Sequence, residues 1–345
     1  MQTDGRRPRL TPAIADVRRA VRESLAEIAS RGSTSTSRAD ARADLLVALS
    51  GGPDSLALAA ATAFEAPRAG LRAGAVIVDH ALQPDSADVA ARAARQAEEL
   101  GLAPVIVTRT DVTGRGGPEA AARSARYAAI DQALAATGAV AVLLGHTLDD
   151  QAETVLLGLG RGAGAVSLRG MAGVAEQPGG TRIRPLLGLR RQLTHDFCRD
   201  AALEPWHDPH NDSAAYTRVR VRQGVLPMLE RELGPGVAEA LARTAEQLRE
   251  DDDTLHAMAI ETIEDLVEHA EAGIAISAPA LEANPAALRN RIIRYVVESE
   301  FGVSLSRAQT LAVAALVTDW HGQKGVDLPG IRVVRRGALL EFARA

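Results

Sequence analysis

The sequence predicts an α/β protein with a doubly wound parallel sheet, followed by a smaller and mainly α-helical domain. Between residues 45 and 145, short β-rich runs alternate with alanine-rich helical segments. From about residue 235 onward, the periodicity is almost entirely helical. Alternating strands and helices form βαβ units, in which helices cover both faces of a parallel sheet. With 345 residues, the chain is also longer than one hydrophobic core usually supports.

The N-terminal segment precedes the alternating region. Residues 11–29 carry apolar side chains at helical spacing, and the polar stretch RGSTSTSRADARA that follows lacks core-forming residues. We therefore expect a helix and a mobile loop within residues 1–40.

Four apolar runs are predicted to be the strands of the sheet. They are LLVAL (45–49), AVIVD (75–79), PVIVT (104–108) and AVAVLLG (139–145). The alanine-rich segments between them are predicted to be the covering helices. We expect residues 41–224 to form this sheet domain.

The C-terminal part begins after a turn-rich segment, GVLPMLERELGPG, in which we place the domain boundary. Residues 225–345 are predicted to form the second domain, with helices at 285–300 and 304–318. Two short β-like runs, at 331–335 and 338–342, follow these helices.

Composition excludes several classes of protein. The net charge of -5 argues against a uniformly basic surface for nucleic acid, although local basic patches can still exist. Cys198 is the only cysteine, which excludes a disulfide framework, a cysteine zinc cluster and a redox pair. No apolar run approaches the roughly 18 residues of a membrane span, and the N-terminus lacks the apolar core of a signal peptide. We therefore expect a cytoplasmic protein without a membrane partner.

Each predicted strand ends in polar residues. Ser50 follows the first strand, Asp79 and His80 end the second, and His146 follows the fourth. In a doubly wound sheet, ligands bind beyond the carboxyl ends of the strands, where the strand order reverses. The candidate functional residues should therefore lie along one edge of the sheet.

The hexapeptide SGGPDS, residues 50–55, joins the first strand to the first covering helix. One interpretation is structural, because Pro53 and a polar cap are common where a helix begins. The other is an anion-binding site, in which Gly51 and Gly52 let backbone N–H groups converge on a phosphate. Asp54 would repel a bare phosphate, so the second interpretation requires Mg²⁺ between the carboxylate and the phosphates. The chain has no GxxxxGK[ST] or GxGxxG motif, which disfavours P-loop kinases and ordinary dinucleotide enzymes.

A second cluster lies in LLGHTLDDQAET, residues 143–154. Thr147 and Asp150 have the spacing of a capping box, which would explain those two residues structurally. On a helix, His146, Asp149, Asp150 and Glu153 would share one side. Because crowded carboxylates repel one another, we expect a cation among them: Mg²⁺, an ammonium substrate, or both.

Two arginine-containing segments complete the set of candidate sites. In GPEAAARSARYAAI (117–130), Arg126 could neutralise phosphates, while a salt-bridged surface helix is the structural alternative. In residues 206–222, Arg218, Arg220 and Arg222 lie in a basic segment predicted to contact RNA phosphates, or alternatively to form a solvated helix.

These motifs resemble a known family. SGGPDS matches the SGGxDS signature of the PP-loop ATP pyrophosphatases, which have an adenine nucleotide α-hydrolase-like fold and cleave ATP between the α and β phosphates. The ordered series from SGGPDS through VDHALQPDS, EAAARSARY, GHTLDDQAETVLLGLGRGAG and IRPLL to WHDPHND resembles the tRNA(Ile)-lysidine synthetases over residues 44–227. The resemblance makes residues 41–224 the catalytic domain and residues 225–345 a tRNA-contacting domain.

The resemblance implies an activity. With ATP and Mg²⁺, such a ligase activates C2 of the wobble cytidine, position 34, in a CAU-anticodon tRNA(Ile). Free L-lysine then attacks through its ε-amine, giving lysidine, AMP and pyrophosphate.

The resemblance also implies site residues. Those expected to be catalytic are Asp54, Arg126, His146, Asp149, Asp150 and Glu153. Those expected to bind the nucleotide are Ser50, Gly51, Gly52, Asp54, Ser55, Asp79 and His80. Asp54 and Asp150 are the expected metal ligands, and the expected tRNA contacts are Arg161, Arg218, Arg220 and Arg222. Which carboxylate binds lysine, holds Mg²⁺ or accepts a proton stays open.

The chain departs from the family pattern at two positions. The family has D-x-x-N-x-D and then R-N-x-x-R, whereas Asp208 and Asn211 here are followed by Ser213, and Val219 replaces the asparagine. Two other functions stay open: a different PP-loop tRNA modifier such as a 2-thiocytidine synthetase, and a non-enzymatic nucleotide- or RNA-binding module. A 2-thiocytidine synthetase typically needs several cysteines. The oligomeric state, including a homodimer, also stays open.

Overall fold

The computed structural model describes residues 10–32, 42–81, 85–110, 118–162, 164–270 and 273–345. It divides into two compact units, Met1–Glu246 and Gln247–Ala345. The predicted boundary between residues 224 and 225 lies earlier, and a small apolar cluster explains the difference. In that cluster, Leu226 and Ala238 pack with Leu148 and Ala152, so the segment after residue 224 contributes to the core of the first unit.

The first unit contains a six-stranded sheet in the order β3-β2-β1-β4-β6-β5. The strands are β1 (Leu45–Ala48), β2 (Ala73–Asp79), β3 (Val105–Arg109), β4 (Ala141–Leu143), β5 (Val174–Ala175) and β6 (Thr181–Ile183). The first four and β6 are parallel, while β5 pairs antiparallel with β6 at the edge. The four predicted strands are confirmed, and the strand order reverses between β1 and β4.

Helices surround this sheet. They are α1 (Pro12–Gly32), α2 (Pro53–Glu65), α3 (Ser86–Glu99), α4 (Pro118–Thr137), α5 (Leu148–Gly160), α6 (Ala165–Leu168), α7 (Arg191–Asp200), α8 (Thr217–Arg220), α9 (Leu226–Leu233) and the start of α10 (Val237–Leu266). Short 3-10 segments cover Ala66–Ala69 and Pro209–Asp212, and a π-helical turn covers Val221–Val225. The expected N-terminal helix is confirmed as α1, whereas most of the predicted mobile loop lies outside the described residues.

Alternating residues of β1 pack on opposite faces of the sheet. Leu45 and Val47 belong to the cluster that includes buried residues of α1, α2 and α7. Leu46 belongs to a separate cluster with Ile130 and Leu134 of α4. Because strand side chains alternate between faces, this division requires helices on both sides and confirms the doubly wound arrangement.

The second unit combines helices with an antiparallel sheet in the order β7-β8-β11-β10-β9. Its remaining elements are β7 (Val267–Ala270), β8 (Gly273–Ser277), α11 (Ala278–Ala283), α12 (Ala286–Phe301), α13 (Arg307–Thr318), β9 (Val326–Leu328), β10 (Ile331–Arg336) and β11 (Leu339–Arg344). The two predicted helices and the two β-like runs correspond to α12, α13, β10 and β11. Strands β7, β8 and β9 were not predicted, so this unit contains more sheet than expected.

No helix in the described part of the chain combines the length and apolarity that a membrane span needs.

Candidate active site

The SGGPDS segment forms the tight turn between β1 and α2. Gly51 has φ +83°, a left-handed conformation that favours glycine, and its carbonyl accepts a hydrogen bond from Trp206 N–H at 2.8 Å. The hydroxyls of Ser50 and Ser55 form a hydrogen bond of 3.0 Å, and the Ser55 hydroxyl also donates to the Gly52 carbonyl. Gly52 caps α2, and Pro53 is its first residue. The predicted strand, turn and helix N-terminus are therefore confirmed, and anion binding there stays a prediction.

The two predicted motifs meet where the strand order reverses. Strands β1 and β4 pair directly, so the segments that follow them are neighbours. At Gly145, a Cβ atom would lie 3.1 Å from the backbone carbonyl of Asp54 and from the Cα of Ser55. The segment between β4 and α5 thus lies close against the start of α2, which makes the two motifs neighbours.

A cluster of four carboxylates lies at this edge, and the guanidinium of Arg191 contacts three of them. Its Nη2 lies 2.7 Å from Asp150 Oδ1, its Nη1 lies 3.2 Å from Glu153 Oε1, and its Nε lies 3.4 Å from Asp54 Oδ2. The backbone N–H of Arg191 donates to Asp149 Oδ2 at 2.7 Å. Arg191 therefore joins the first turn of α2 to α5.

Three further arginines bind the same carboxylates. Arg222 donates to Glu153 through Nε at 2.7 Å and through Nη2 at 3.1 Å. Arg218 Nη1 lies 3.7 Å from the same Glu153, whose side chain is fully buried. Arg190 Nη2 lies 3.3 Å from Asp149 Oδ1. The described residues supply arginine as a cation among these carboxylates, and the expected Mg²⁺ or ammonium stays a prediction.

The structural interpretation of Asp150 as part of a capping box is confirmed, and its expected part in catalysis and metal binding stays a prediction. Its Oδ2 accepts hydrogen bonds from the backbone N–H and the hydroxyl of Thr147, which is the predicted capping box. Its Oδ1 faces Arg191. Burial favours the neutral acid, but the charge of Arg191 and the Thr147 N–H outweigh it, so the pKa of Asp150 lies below its ordinary value. The charge of Arg191, with the helix cap, therefore favours the charged form of this carboxylate.

Asp54 behaves differently from Asp150. Burial raises the pKa of Asp54 above its ordinary value, although the Thr194 hydroxyl and Arg191 oppose that shift. The Thr194 hydroxyl donates to Asp54 Oδ1, while Arg191 is the more distant partner of Oδ2. The negative charge of Asp54 is therefore less strongly compensated by arginine than the charges of Asp150 and Glu153 are.

His146 follows β4 and precedes the carboxylates of α5. Burial lowers the pKa of His146 to about 4, with nearby arginines adding to the effect and Asp150 opposing it. Its Nδ1 is buried and has no hydrogen-bond partner among the described residues. His146 is therefore neutral near pH 7.

The predicted residues after β2 form a group of their own. Arg126 Nε donates to His80 Nε2 at 3.2 Å, which joins α4 to the end of β2. Asp79 Oδ1 accepts from the Ala81 N–H at 2.9 Å and so stabilises the turn after the strand. Burial and the charge of Arg126 lower the pKa of His80. The structure thus brings His80 and Arg126 together, as the shared sheet edge suggested.

The predicted RNA-contacting arginines have different environments. Arg161 ends α5 and is exposed. Arg220 is exposed, and its guanidinium donates to the carbonyls of Ala214 and Ala215. Arg218 and Arg222 are half-buried and face Glu153. An RNA contact by Arg222 stays a prediction, because its guanidinium is bound to the carboxylate cluster.

The departures from the family pattern have structural counterparts. Val219 is buried within the first unit, so the apolar side chain suits its position. The Ser213 carbonyl accepts the Tyr216 N–H at 3.2 Å. The side chain of Asn211 lies outside the described set.

Sequence reasoning missed Arg190, Arg191 and Thr194. One signal was present, because Arg190 and Arg191 stand side by side where α7 begins, and the positive end of the helix dipole disfavours cations there. Paired arginines at a helix N-terminus indicate that carboxylates from elsewhere in the fold compensate them.

Comparisons with known proteins agree with this geometry. The PP-loop domain family matches residues 20–229, and the TilS substrate binding domain family matches residues 276–339. A tRNA(Ile)-lysidine synthase from Leifsonia xyli is 64% identical, covering 86% of this chain and 89% of its own. Another, from Thermobifida fusca, is 48% identical over 94% of this chain and 95% of its own.

A solved structure supports the fold alone. A U34-tRNA thiolase from Methanococcus maripaludis, solved with its 4Fe–4S cluster, has a TM-score of 0.56 at 20% identity and covers 69% of this chain and 80% of that one. The fold, the converging motifs and the extent of these matches lead to one conclusion: the chain belongs to the tRNA(Ile)-lysidine synthase family.

Proposed function

We propose that this protein uses ATP to ligate free L-lysine to C2 of the wobble cytidine, position 34, in a CAU-anticodon tRNA(Ile). The products are lysidine, AMP and pyrophosphate, and the intermediate is a cytidine adenylated at O2. One observation carries the proposal: an anion-binding turn and a carboxylate cluster adjoin at the edge where the strand order reverses. Such an arrangement suits a phosphate-bearing ligand and a cationic ligand that must react close together.

ATP is assigned to the SGGPDS turn, where the N-terminus of α2 and the hydroxyls of Ser50 and Ser55 favour an anion. His80 and Arg126, joined at the end of β2, are the assigned contacts for the rest of the nucleotide or the adenylate. Asp79 would hold the turn that presents His80.

Mg²⁺ is assigned to Asp54. In the part of the chain that is described, no three His, Cys, Asp or Glu side chains are arranged to hold a metal on their own. A magnesium ion carried by ATP needs only one or two carboxylates, because phosphates and waters complete its shell. Asp54 fits that need, since it lies beside the anion site with an incompletely compensated charge, whereas both oxygens of Asp150 are already bonded. The metal would neutralise charge on the phosphates.

Lysine is assigned to the carboxylates of α5. Asp149, Asp150 and Glu153 would hold an ammonium group, and one of them would take up the proton that the ε-amine loses as it attacks C2. Neutral His146, with a free buried Nδ1, is placed to hydrogen-bond the cytosine or lysine without adding charge. The reaction would place this protein in the cytoplasm, where tRNA is modified.

The tRNA is assigned to the basic segment and to Arg161. Arg161 and Arg220 are exposed, and Arg218 is partly so, which suits contacts to phosphates. The second unit overlaps the TilS substrate binding domain match, and we assign it a further part of the tRNA surface.

The chemistry of Cys198 disfavours the alternative function, that of a sulfur-transferring tRNA modifier. Burial raises the pKa of this thiol to about 12, and its Sγ lies 3.4 Å from the Pro53 carbonyl. Since the thiolate is the reactive form, Cys198 is a poor sulfur carrier. We expect Cys198→Ala to retain lysidine formation, measured as labelled lysine in tRNA, whereas loss of activity in a folded variant would favour the alternative function.

The deciding experiment incubates the protein with ATP, Mg²⁺, labelled lysine and unmodified CAU-anticodon tRNA(Ile). We expect label at position 34, with one AMP formed per lysine incorporated. Asp54→Ala should lose both products while keeping the circular dichroism spectrum of the wild type. Transcripts with a guanosine or uridine at position 34 are the matched RNA controls. AMP formation that depends on a sulfur donor and not on lysine would contradict the proposal.

A further inference from the structure

The cation already inside the carboxylate cluster raises a physical question about lysine binding. Within the described residues, Asp54, Asp149, Asp150 and Glu153 face Arg190, Arg191, Arg218 and Arg222. Four arginines thus compensate these four carboxylates, and Arg190 also pairs with Glu230 and Glu239. An ammonium group brought by lysine would therefore find its acceptor oxygens in use, and one arginine must leave before the ammonium can bind.

Among the four arginines, Arg191 is the one whose departure would open a binding place for the ammonium group of lysine. Each of its three guanidinium nitrogens contacts a different carboxylate: Asp54, Asp150 and Glu153. Because Mg²⁺ is assigned to Asp54, the ammonium group would donate to the oxygens that Arg191 vacates on Asp150 and Glu153, which Arg222 also contacts. Arg222 keeps two bonds to Glu153 after Arg191 leaves, so the buried Glu153 stays compensated.

The same contacts indicate what would move Arg191. Its longest contact, 3.4 Å, is to Asp54, which occupies the first turn of α2 beside the anion-binding turn. Phosphate oxygens bound at that turn would offer the guanidinium a bidentate partner close to Asp54, which it already contacts. A cation bound at Asp54 would also repel it.

We propose that Arg191 is a positioning residue that exchanges partners: it leaves the carboxylates for the phosphates when ATP binds and so opens the lysine site. This inference rests on the proposed function and adds an order of events, with the nucleotide before lysine. Lysine would then bind only where activated cytidine can form. The device would keep the lysine site closed while the nucleotide site is empty.

The exchange predicts a coupling between two ligands that can be measured without catalysis. Lysine binding is followed by equilibrium dialysis of radiolabelled lysine, with and without saturating α,β-methylene-ATP at constant Mg²⁺ and in the absence of tRNA. We expect the nucleotide to tighten lysine binding to the wild type by about tenfold, within the usual range of such couplings. By linkage, lysine must tighten nucleotide binding by the same factor. Lysine affinity that does not change with the nucleotide would overturn the proposal without any variant.

Variants of Arg191 separate charge exchange from a merely structural role. Arg191→Gln should bind lysine without nucleotide about as tightly as the wild type does with it, and the coupling should disappear. Arg191→Lys keeps the charge and should restore the nucleotide dependence. Arg199→Gln is the matched control, because Arg199 lies on the same helix, is 69% exposed and pairs only with Asp196 and Asp200 among the described residues.

Three results would overturn the exchange. The first is weaker lysine binding by Arg191→Gln than by the wild type, both with and without nucleotide. The second is the same nucleotide dependence of lysine affinity in Arg191→Lys and Arg191→Gln. The third is loss of that dependence in Arg199→Gln. Labelled lysine entering tRNA while the coupling is absent would refute the exchange and leave the proposed function standing. No lysine incorporation at all would refute the proposed function itself.

Discussion

The environment of the His146 side chain indicates part of the chemistry of the site. Its imidazole is buried enough that its pKa falls to about 4, and its Nδ1 has no protein partner in the described part of the chain. An orphaned buried polar atom costs free energy unless a ligand satisfies it. The neutral imidazole of His146 therefore has hydrogen-bonding capacity left for a ligand, at the place where cytosine and lysine are proposed to meet.

The depressed pKa of His146 predicts a pH dependence of stability. An unfolded histidine takes up a proton near pH 6.5, whereas native His146 does so only near pH 4. Between these values the unfolded chain binds more protons, so the free energy of unfolding falls as the pH falls. Each pKa unit corresponds to about 1.4 kcal/mol, and with allowance for partial exposure we expect His146 to account for about 1–3 kcal/mol.

Urea unfolding of the wild type and of His146→Gln at pH 7 and pH 4.5 tests this. The variant should lose less stability on acidification than the wild type. The comparison between variants is required because Asp54, with its raised pKa, contributes in the opposite direction. Equal losses in the two proteins would mean that His146 is charged in the native state.

Local sequence identified the carboxylates of α5 but not Arg190 and Arg191, which pair with them. Asp149, Asp150 and Glu153 lie within one helical turn or so, and their convergence follows from helical spacing alone. Arg191 lies about forty residues away on another helix, and its contacts depend on how α7 packs against the sheet. Such a non-local contact has no periodicity to reveal it.

At the scale of elements, the site depends on the close approach of two connections. Gly145 lies between β4 and α5, and a Cβ atom there would be 3.1 Å from backbone atoms of Asp54 and Ser55. Backbone atoms at a helix start cannot rotate away as a side-chain end can. The absence of a side chain at Gly145 therefore permits the close approach of the SGGPDS turn and the carboxylate cluster.

Gly145→Ala should push these connections apart. We expect a loss of about 1–3 kcal/mol in the free energy of unfolding, typical of overpacking, and weaker nucleotide binding by isothermal titration calorimetry. Gly160→Ala, in α5, is the matched control because a Cβ there meets nothing within 4 Å. That change should be neutral or slightly stabilising, since alanine favours a helix over glycine by up to about 1 kcal/mol. Equal effects of the two substitutions would show that the close approach is unimportant.

Sequence pattern predicted long elements better than short ones. Strands β1 to β4 follow apolar runs bounded by polar residues, and all four were identified. Strand β4 has three residues but lies in the seven-residue apolar run AVAVLLG, whereas β5 and β6, with two and three residues, lie in no such run. In the second unit, β7 continues directly from the helical pattern of α10, so the change from helix to strand depends on pairing with β8.

At the scale of the whole molecule, an acidic protein must bind a polyanion. The formal charge is -5, and part of the arginine content is neutralised inside the carboxylate cluster. The placement of the other cations therefore matters, and exposed ones beside the carboxylate cluster's sequence neighbours, such as Arg161 and Arg220, should contribute to phosphate binding. Charge distribution, and not net charge, decides whether RNA binds.

This distribution predicts how tRNA binding depends on salt. Each phosphate contact adds about -0.7 to -0.9 to the slope of log K against log salt concentration. We expect Arg161→Gln and Arg220→Gln each to weaken tRNA binding and to reduce that slope by about one contact. Arg222→Gln should leave the slope unchanged, because the guanidinium of Arg222 is bound to Glu153.

Filter binding of labelled tRNA from low to moderate salt gives these slopes, with Arg199→Gln as an exposed arginine outside the proposed RNA surface. A changed slope for Arg222→Gln, in a variant that still folds, would mean that this arginine leaves Glu153 for a phosphate when tRNA binds. The carboxylate cluster would then lose a second cation at the moment it must accept the ammonium of lysine. Unchanged slopes for Arg161→Gln and Arg220→Gln would move the RNA surface elsewhere, since an exposed arginine that meets a phosphate must release counterions.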